Sequence, residues 1–139
     1  MIQRKQTLWL LLAVIATVLT FKFPFYNGIV VSGAKGVSGA ELTATDNIPL
    51  MLLTGLTALL GLAGIFMFKD RKKQLMICFL GLLAAIGTIV LNYTYIKYFQ
   101  SGSISITALL LLVTVIGFFF AMKGIRKDQK LIRSLDRLR

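Results

Sequence analysis

Uncharged apolar stretches alternate with short charged segments along this chain, and the clearest two stretches meet near its middle. Residues 50–68 contain no charged side chain, and neither do residues 75–96. About 20 apolar residues of helix are needed to cross the hydrocarbon of a bilayer, so each stretch is long enough to span it. Residues 69–73 are all charged. A charged connection this short predicts a tight turn between two adjacent membrane helices.

Two further apolar stretches flank this central pair. The pattern therefore predicts an all-α membrane protein, an antiparallel up-down-up-down bundle of four membrane helices over residues of about 7–26, 49–68, 74–98 and 104–123. Arg4 and Lys5 would also suit the start of a cleaved signal peptide, which is the alternative for the first stretch. No small-x-small cleavage motif follows the apolar run closely, and this favours a retained helix.

The longest connection, residues 27–48, is predicted to lie as a loop on the outer side. Residues 29–31 and 42–45 favour β-structure, and glycines lie between them. A β-hairpin and an irregular exposed loop are both consistent with this pattern. The sequence does not decide between them.

The cations are distributed unequally between the two sides that this bundle would have. Alternating helices place thirteen cations with the two termini and the central turn, and only Lys22, Lys35 and Lys97 on the other side. The positive-inside rule assigns the more basic side to the cytoplasm. We therefore expect a multi-pass protein of the inner membrane with both termini cytoplasmic.

Each predicted helix carries small residues at intervals of three and four. Lipid removes the hydrophobic drive for helix association, so close contact through small side chains becomes the main source of packing. These stripes are predicted to face the bundle interior, and they comprise Ala13, Ala16, Thr17 and Thr20; Thr54, Thr57, Ala58, Gly61 and Gly64; Cys78, Gly81, Ala85, Thr88 and Asn92; Thr107, Thr114, Gly117, Ala121 and Gly124.

The two ends of the chain resemble a known family. The opening residues 1–8, Met-Ile-Gln-Arg-Lys-Gln-Thr-Leu, and the closing basic segment 125–139 are similar to small four-helix integral membrane proteins of Bacteroidota, which are classed as a domain of unknown function. The resemblance implies a bacterial inner-membrane protein. It brings no catalytic or ligand-binding residues that could be transferred to this chain.

Composition argues against most chemistry. The chain has no histidine and one cysteine, so the commonest metal ligand and general base is missing and no cysteine pair is available. The predicted helix cores also lack Asp, Glu, Lys and Arg, whereas a proton-coupled transporter needs an ionisable group within the membrane. We expect no enzymatic activity, no cofactor and no metal site.

The basic segments suggest contacts with anionic lipid headgroups or a partner. The tail, residues 124–139, has apolar positions at helical spacing and predicts a cytoplasmic amphipathic helix on an anionic membrane surface. A solvated helix that only sets topology, and a docking site for another membrane protein, are alternatives; nucleic acid is the least favoured partner. The candidate contact residues are Lys69, Arg71, Lys72, Lys73, Lys127, Lys130, Arg133 and Arg137.

The function predicted from these observations is that of a structural or accessory membrane component. The alternative is a small transporter or ligand-binding membrane protein with a site near the outer end of the third helix, at Asn92, Tyr93 and Tyr95. Asn92 is the most polar residue in any predicted helix. An interhelical hydrogen bond would explain it without a ligand.

Overall fold

The computed structural model of the chain describes residues 3–32 and 36–136. Most of these residues are helical, and four helices are present as predicted. The helices are α1 (Gln3–Leu19), α2 (Ile48–Phe66), α3 (Arg71–Ile96) and α4 (Ala108–Asp136). Three strands accompany them: β1 (Tyr26–Ser32), β2 (Gly36–Leu42) and β3 (Ser101–Ile104).

The four helices form a bundle. α1 packs against α2 and α4, and α3 packs against the same two helices. The core is centred on Phe118, whose side chain is completely buried among residues that include Leu10, Cys78 and Ile125. The predicted stripes of small residues are confirmed for the larger part, since most of their members are buried between the helices.

Glycine in these stripes sets the distance between helices. A Cβ atom added to Gly81 would lie 2.5 Å from Cε1 of Phe118, and one added to Gly61 would lie 2.5 Å from Cγ2 of Val14. These separations are far below normal carbon contacts of about 3.5–4.0 Å. The absence of a side chain therefore allows the Phe118 ring to rest directly on the backbone of α3.

The strands form one antiparallel sheet in the order β2-β1-β3. Tyr26 lies opposite Leu42 on one side and opposite Ile104 on the other. The segment left undecided by the sequence is thus a β-hairpin, and the all-α class is wrong because a small sheet closes one end of the bundle. β3 (Ser101–Ile104) lies in the connection between the predicted third and fourth helices and includes the first residue predicted for the fourth. Its pairing supplies backbone partners to the second edge of β1.

The first helix is displaced from its predicted range of 7–26. It begins at Gln3 and ends at Leu19, and the chain then turns toward β1. Pro24 explains part of the difference, because proline disfavours the helical conformation for the residue before it and lacks an N–H group. The N–H of Phe25 instead donates to the carbonyl of Leu42 at 2.7 Å, which joins this turn to the sheet.

The fourth helix and the basic tail are one element. The prediction separated a helix over residues 104–123 from a tail over residues 124–139, whereas α4 continues without a break to Asp136. Ile125 and Asp128 on this extension are both buried, so the packing continues past the apolar stretch. Residues 137–139, including the candidate Arg137, lie outside the described residues.

Three helical segments are long and apolar enough to cross a membrane, by length and composition: Ile48–Phe66, Arg71–Ile96 and Ala108–Ile132. The apolar run of α1, Lys5–Leu19, is shorter. The predicted tight turn is confirmed, because α2 ends at Phe66 and α3 begins at Arg71. These three segments indicate a membrane protein.

Candidate functional site

One end of the bundle, which we call the basic end, holds a buried polar cluster. It is the end at which α1 and α3 begin and α2 ends, and it lies beside the second half of α4. Gln6 Nε2 donates a hydrogen bond to Oδ2 of Asp128, and Nη1 of Arg71 lies 3.8 Å from the same oxygen. Side chains from α1 and α3 therefore meet at one carboxylate of α4.

Asp128 is the most unusual member of this cluster. Its side chain is only 4% exposed, whereas Arg71 is 24% exposed. The second carboxylate oxygen, Oδ1, is buried and has no hydrogen-bond partner among the residues that the structure describes. Withdrawing a carboxylate from water costs free energy unless partners replace the lost hydration. Gln6 and Arg71 supply that replacement on one oxygen only.

Two glutamines extend the cluster through backbone carbonyls. Gln74 Nε2 donates to the carbonyl of Gly64 at 2.8 Å, and Gln129 Nε2 donates to the carbonyl of Arg71 at 3.2 Å. Gly64 lies in the last turn of α2, where carbonyl groups have no partner within the helix. The buried Gln74 side chain of α3 thus supplies a hydrogen-bond donor to the last turn of α2, and this bond holds the short turn between the two helices.

The predicted cations of the central turn do not form one surface. Lys69, Lys72 and Lys73 are exposed, and Nζ of Lys73 lies 3.2 Å from a carboxylate oxygen of Asp70. Arg71 instead turns inward toward Asp128. Headgroup contact by these four residues stays a prediction, and the structure separates Arg71, which contacts Asp128, from the three exposed lysines.

Asp128 was not among the residues predicted to be functional. The segment after residue 123 was interpreted as a basic tail because its cations outnumber its two acids, Asp128 and Asp136. A signal was present, because Phe118, Ala121, Ile125 and Asp128 follow one another at intervals of three and four and are all buried. An acidic residue that continues a buried helical stripe indicates an internal partner.

The opposite face of α4 carries exposed cations. Lys127 and Lys130, both predicted contact residues, lie with Lys123 and Arg126 along a groove of about 410 Å³, together with Phe119 and Met122. None of these four cations has a carboxylate partner among the side chains that the structure describes. Arg133 lies further along the same helix.

At the other end of the bundle, which we call the sheet end, Asn92 points into the interior. It is 4% exposed, and its Nδ2 donates to the carbonyl of Thr88 at 2.8 Å. The bond is therefore within α3 rather than between helices. The adjoining cavity, bounded partly by Thr54, Thr88 and Thr107, measures about 10 Å³. That volume is close to the minimum for a single water molecule, whereas ligand pockets measure roughly 300–1,000 Å³.

The structure does not bring the three residues of the predicted ligand site together. Tyr93 is 64% exposed, and Nζ of Lys97 lies 5.8 Å from the centre of its ring. Tyr95 is half-buried, with its ring 6.3 Å from that of Tyr98. Consecutive helical residues diverge by about 100° because a turn has 3.6 residues. Tyr93 therefore faces away from the cavity beside Asn92.

The buried threonines mostly bond to their own helices. In each case the hydroxyl donates to the carbonyl four residues earlier, as in Thr17, Thr54, Thr57, Thr88 and Thr114. This local bonding satisfies a hydroxyl in an apolar interior without another partner. Among residues 3–32 and 36–136, no group of three His, Cys, Asp or Glu side chains is placed to hold a metal ion.

Four packed helices, three of them apolar enough to cross a bilayer, and a polar interior bonded largely to itself define a helical membrane-type protein. The chain belongs to the family described as Domain of unknown function (DUF4293), whose model matches residues 2–138. The family membership predicted from the two ends of the chain is thereby confirmed. The comparisons with curated proteins and with solved structures each found no match.

Proposed function

We propose that the protein is a non-catalytic, multi-pass component of a bacterial inner membrane with a structural or accessory role. Its four helices run up-down-up-down, and both termini lie in the cytoplasm. The observation that carries the proposal is the internal use of the buried polar groups. Gln6, Gln74 and Asn92 bond to other parts of this chain, and the cavity beside Asn92 has room for about one water molecule.

The same observation weighs against the transporter alternative. A transported or bound solute needs a cavity of its own size and polar groups that converge on it. Asn92 and Tyr93 face different directions. Thr54 and Thr88 beside the cavity donate to carbonyls of their own helices, and Thr107 donates to the carbonyl of Pro24, so these hydroxyls are already bonded within the chain. A compact interior of this kind suits a protein whose outer surfaces, rather than its core, make the functional contacts.

The proposed orientation is supported by the position of the charges. The start of α1, the central turn and the second half of α4 meet at the basic end, whereas Lys22 and Lys97 lie toward the sheet end. α1 has 17 residues, which extend about 26 Å, against about 30 Å of hydrocarbon. Its crossing therefore relies on the turn that follows it and on local thinning of the bilayer.

Cysteine accessibility tests this orientation in spheroplasts of a bacterial host. Cys78, which is buried, is replaced by serine, and one new cysteine is introduced at an exposed position of each end, Thr45→Cys or Ser134→Cys. A membrane-impermeant maleimide should label Thr45→Cys in intact spheroplasts and Ser134→Cys only after permeabilisation. Labelling of Ser134→Cys in intact spheroplasts would contradict the proposed topology.

Purification in mild detergent from the native membrane separates the two functions. We expect native mass spectrometry to detect a protein partner at fixed stoichiometry. A tightly bound polar solute with no protein partner would contradict the accessory role and favour the ligand-binding alternative. The variant Asn92→Ala is informative in the second case, because it would remove a solute held at the sheet end without touching a partner of the basic end.

A further inference from the structure

We propose that the groove along α4 binds one anionic phospholipid from the leaflet at the basic end. Its phosphate would lie among Lys123, Arg126, Lys127 and Lys130, and its acyl chain would run along Phe119. The inference deepens the proposed function and rests on the membrane placement given there. It converts a general attraction between basic residues and lipid into a single site with stated residues.

The two faces of α4 differ in how their charges are balanced. Asp128 lies on the buried face and is engaged by Gln6 and Arg71, so its charge is used inside the bundle. The four cations lie on the exposed face, and no carboxylate among the described side chains pairs with them. A cluster of unpaired cations attracts an external anion, and phosphate is the anion that a membrane surface offers.

The spacing of the cations places them on one side of the helix. Residues 126, 127 and 130 follow Lys123 by three, four and seven positions, and side chains at these intervals lie on the same side of a helix. They extend about 10 Å along the axis, at about 1.5 Å per residue. Several cations at this spacing can approach the same headgroup from above and below, while a single exposed lysine cannot enclose it.

The order of side chains along the groove matches the order of groups in a phospholipid. Phe119 and Met122 precede the cations, and Lys123 is the first charged residue of α4. The groove therefore passes from apolar to cationic where the helix leaves the hydrocarbon. An acyl chain fits its apolar part and a phosphate its cationic part. A free inorganic anion would use only the second part.

The central turn provides a charge-matched comparison. Lys69, Lys72 and Lys73 are also exposed cations at the basic end, but Lys73 already pairs with Asp70. If the anionic lipid were attracted only by the net positive charge of the protein, the loss of three cations from either place would weaken its binding equally. A site in the α4 groove would respond only to loss from α4.

The single tryptophan reports on this groove without labelling. The ring of Trp9 stacks on that of Phe120 with the ring centroids 4.8 Å apart. The Phe120 and Phe119 rings are packed edge to face, with their centroids 6.0 Å apart. Bromine atoms on an acyl chain quench tryptophan fluorescence only at short range. A brominated lipid that occupies the groove will therefore quench Trp9 more than its mole fraction alone requires.

The experiment uses the full-length protein in nanodiscs of phosphatidylcholine that contain a small fraction of phosphatidylglycerol. Bromine is placed on the acyl chains of one lipid or the other, and quenching of Trp9 is compared at equal mole fraction. The wild-type protein should show preferential quenching by brominated phosphatidylglycerol. Each neutralised cation should lower the relative affinity by about fivefold, since a cation near an anionic surface contributes on this scale.

The triple variant Arg126→Gln/Lys127→Gln/Lys130→Gln should lose the preference for the anionic lipid, by roughly 100-fold in relative affinity. The matched variant Lys69→Gln/Lys72→Gln/Lys73→Gln should keep it. Circular dichroism establishes that both variants are folded. If the α4 variant does not fold, the comparison of the two lipids with the wild-type protein still decides whether an anionic lipid is preferred.

Three results would overturn the proposal. The first is equal quenching of the wild-type protein by both brominated lipids, and the second is an equal loss of preference in both triple variants. The third is displacement of the lipid by inorganic phosphate, beyond the effect of chloride at the same ionic strength, which would indicate a site for free anions. None of these would alter the cysteine accessibility results, so the membrane orientation stands or falls separately.

Discussion

The two ends of the bundle are closed by different kinds of bond. At the basic end, side chains distant in sequence meet, as Gln6 and Arg71 do at the carboxylate of Asp128. At the sheet end, backbone groups connect the segments that follow α1 and precede α4. The N–H of Phe25 donates to Leu42, and the N–H of Ser105 donates at 3.0 Å to the carbonyl of Phe25.

The difference shows where each end is sensitive to substitution. Bonds between particular side chains are lost when one residue changes, and a buried partner left unsatisfied adds its own cost. Backbone bonds persist through most side-chain changes and fail only where a new side chain displaces the strands. We therefore expect single polar substitutions to act at the basic end and steric substitutions to act at the sheet end.

The largest effect is expected in the core between the two ends, because a loss of helix packing there would destabilise both ends. In Gly81→Leu the new side chain would occupy the position of the Phe118 ring, whose atoms lie 2.5 and 2.7 Å from the Cβ position. Overpacking a filled core costs about 3 kcal/mol. We expect a large fall in melting temperature in detergent. Gly55→Leu is the control, because nothing lies within 4 Å of its Cβ position; equal losses would show that packing is not the cause.

The next effect tests the side-chain bonds of the basic end. Asp128→Ala leaves Gln6 and Arg71 without their shared acceptor and should cost about 2 kcal/mol. Asp128→Asn retains an acceptor for Gln6 and should lose less. Thermal unfolding in detergent measures both.

A polar residue of the sheet end serves as the control for this pair. Asp46 is exposed and its carboxylate accepts from the hydroxyl of Thr43 at 2.9 Å. Asp46→Ala should change stability by less than about 0.5 kcal/mol, as surface substitutions usually do. A loss as large as that of Asp128→Ala would remove the distinction between the two ends.

A smaller effect is expected from a steric change in the sheet. A Cβ atom on Gly102 would meet the carbonyl oxygen of Asn27 and would lie 2.5 Å from the Cα of Gly28. Gly102→Ala should therefore weaken the pairing of β1 with β3 and cost about 1 kcal/mol. Gly39→Ala in β2 is the control, because its Cβ position has no neighbour within 4 Å. Hydrogen exchange of β1 amides should rise in Gly102→Ala alone.

The helical part of this fold was predictable because the sequence of each helix alone shows how long its apolar segment is and which of its faces packs against other helices. Long uncharged runs predicted the apolar segments, and small residues at intervals of three and four predicted which faces meet. Gly81 and Thr54 lie between helices, as their positions in the stripes of small residues predicted. The tight turn followed from five adjacent charges, which cannot remain in hydrocarbon.

The remaining features depend on contacts between segments that are distant in sequence, and no local sequence pattern indicates such contacts. β3 is four residues long, and Gly102 lies opposite Gly28, so the strands approach closely where neither has a side chain. Nothing in residues 101–104 alone distinguishes that pairing from a turn. Asp128 was missed for a related reason, since its partners lie on two other helices and it lies within a predominantly basic segment.

The smallest effect concerns a pair of threonine hydroxyls that meet between α1 and α4. Thr17 Oγ1 lies 3.2 Å from Thr114 Oγ1, but each hydroxyl also donates to its own helix, to Ala13 and Leu110. A hydroxyl has one hydrogen, so the two cannot bond each other while both keep these bonds. Thr17→Val and Thr114→Val should each cost about 0.6 kcal/mol or less, and their coupling in a double-mutant cycle should be close to zero. A coupling of about 1 kcal/mol would mean that one hydroxyl gives up its backbone bond to join α1 to α4. Side-chain bonding would then extend beyond the basic end into the middle of the bundle.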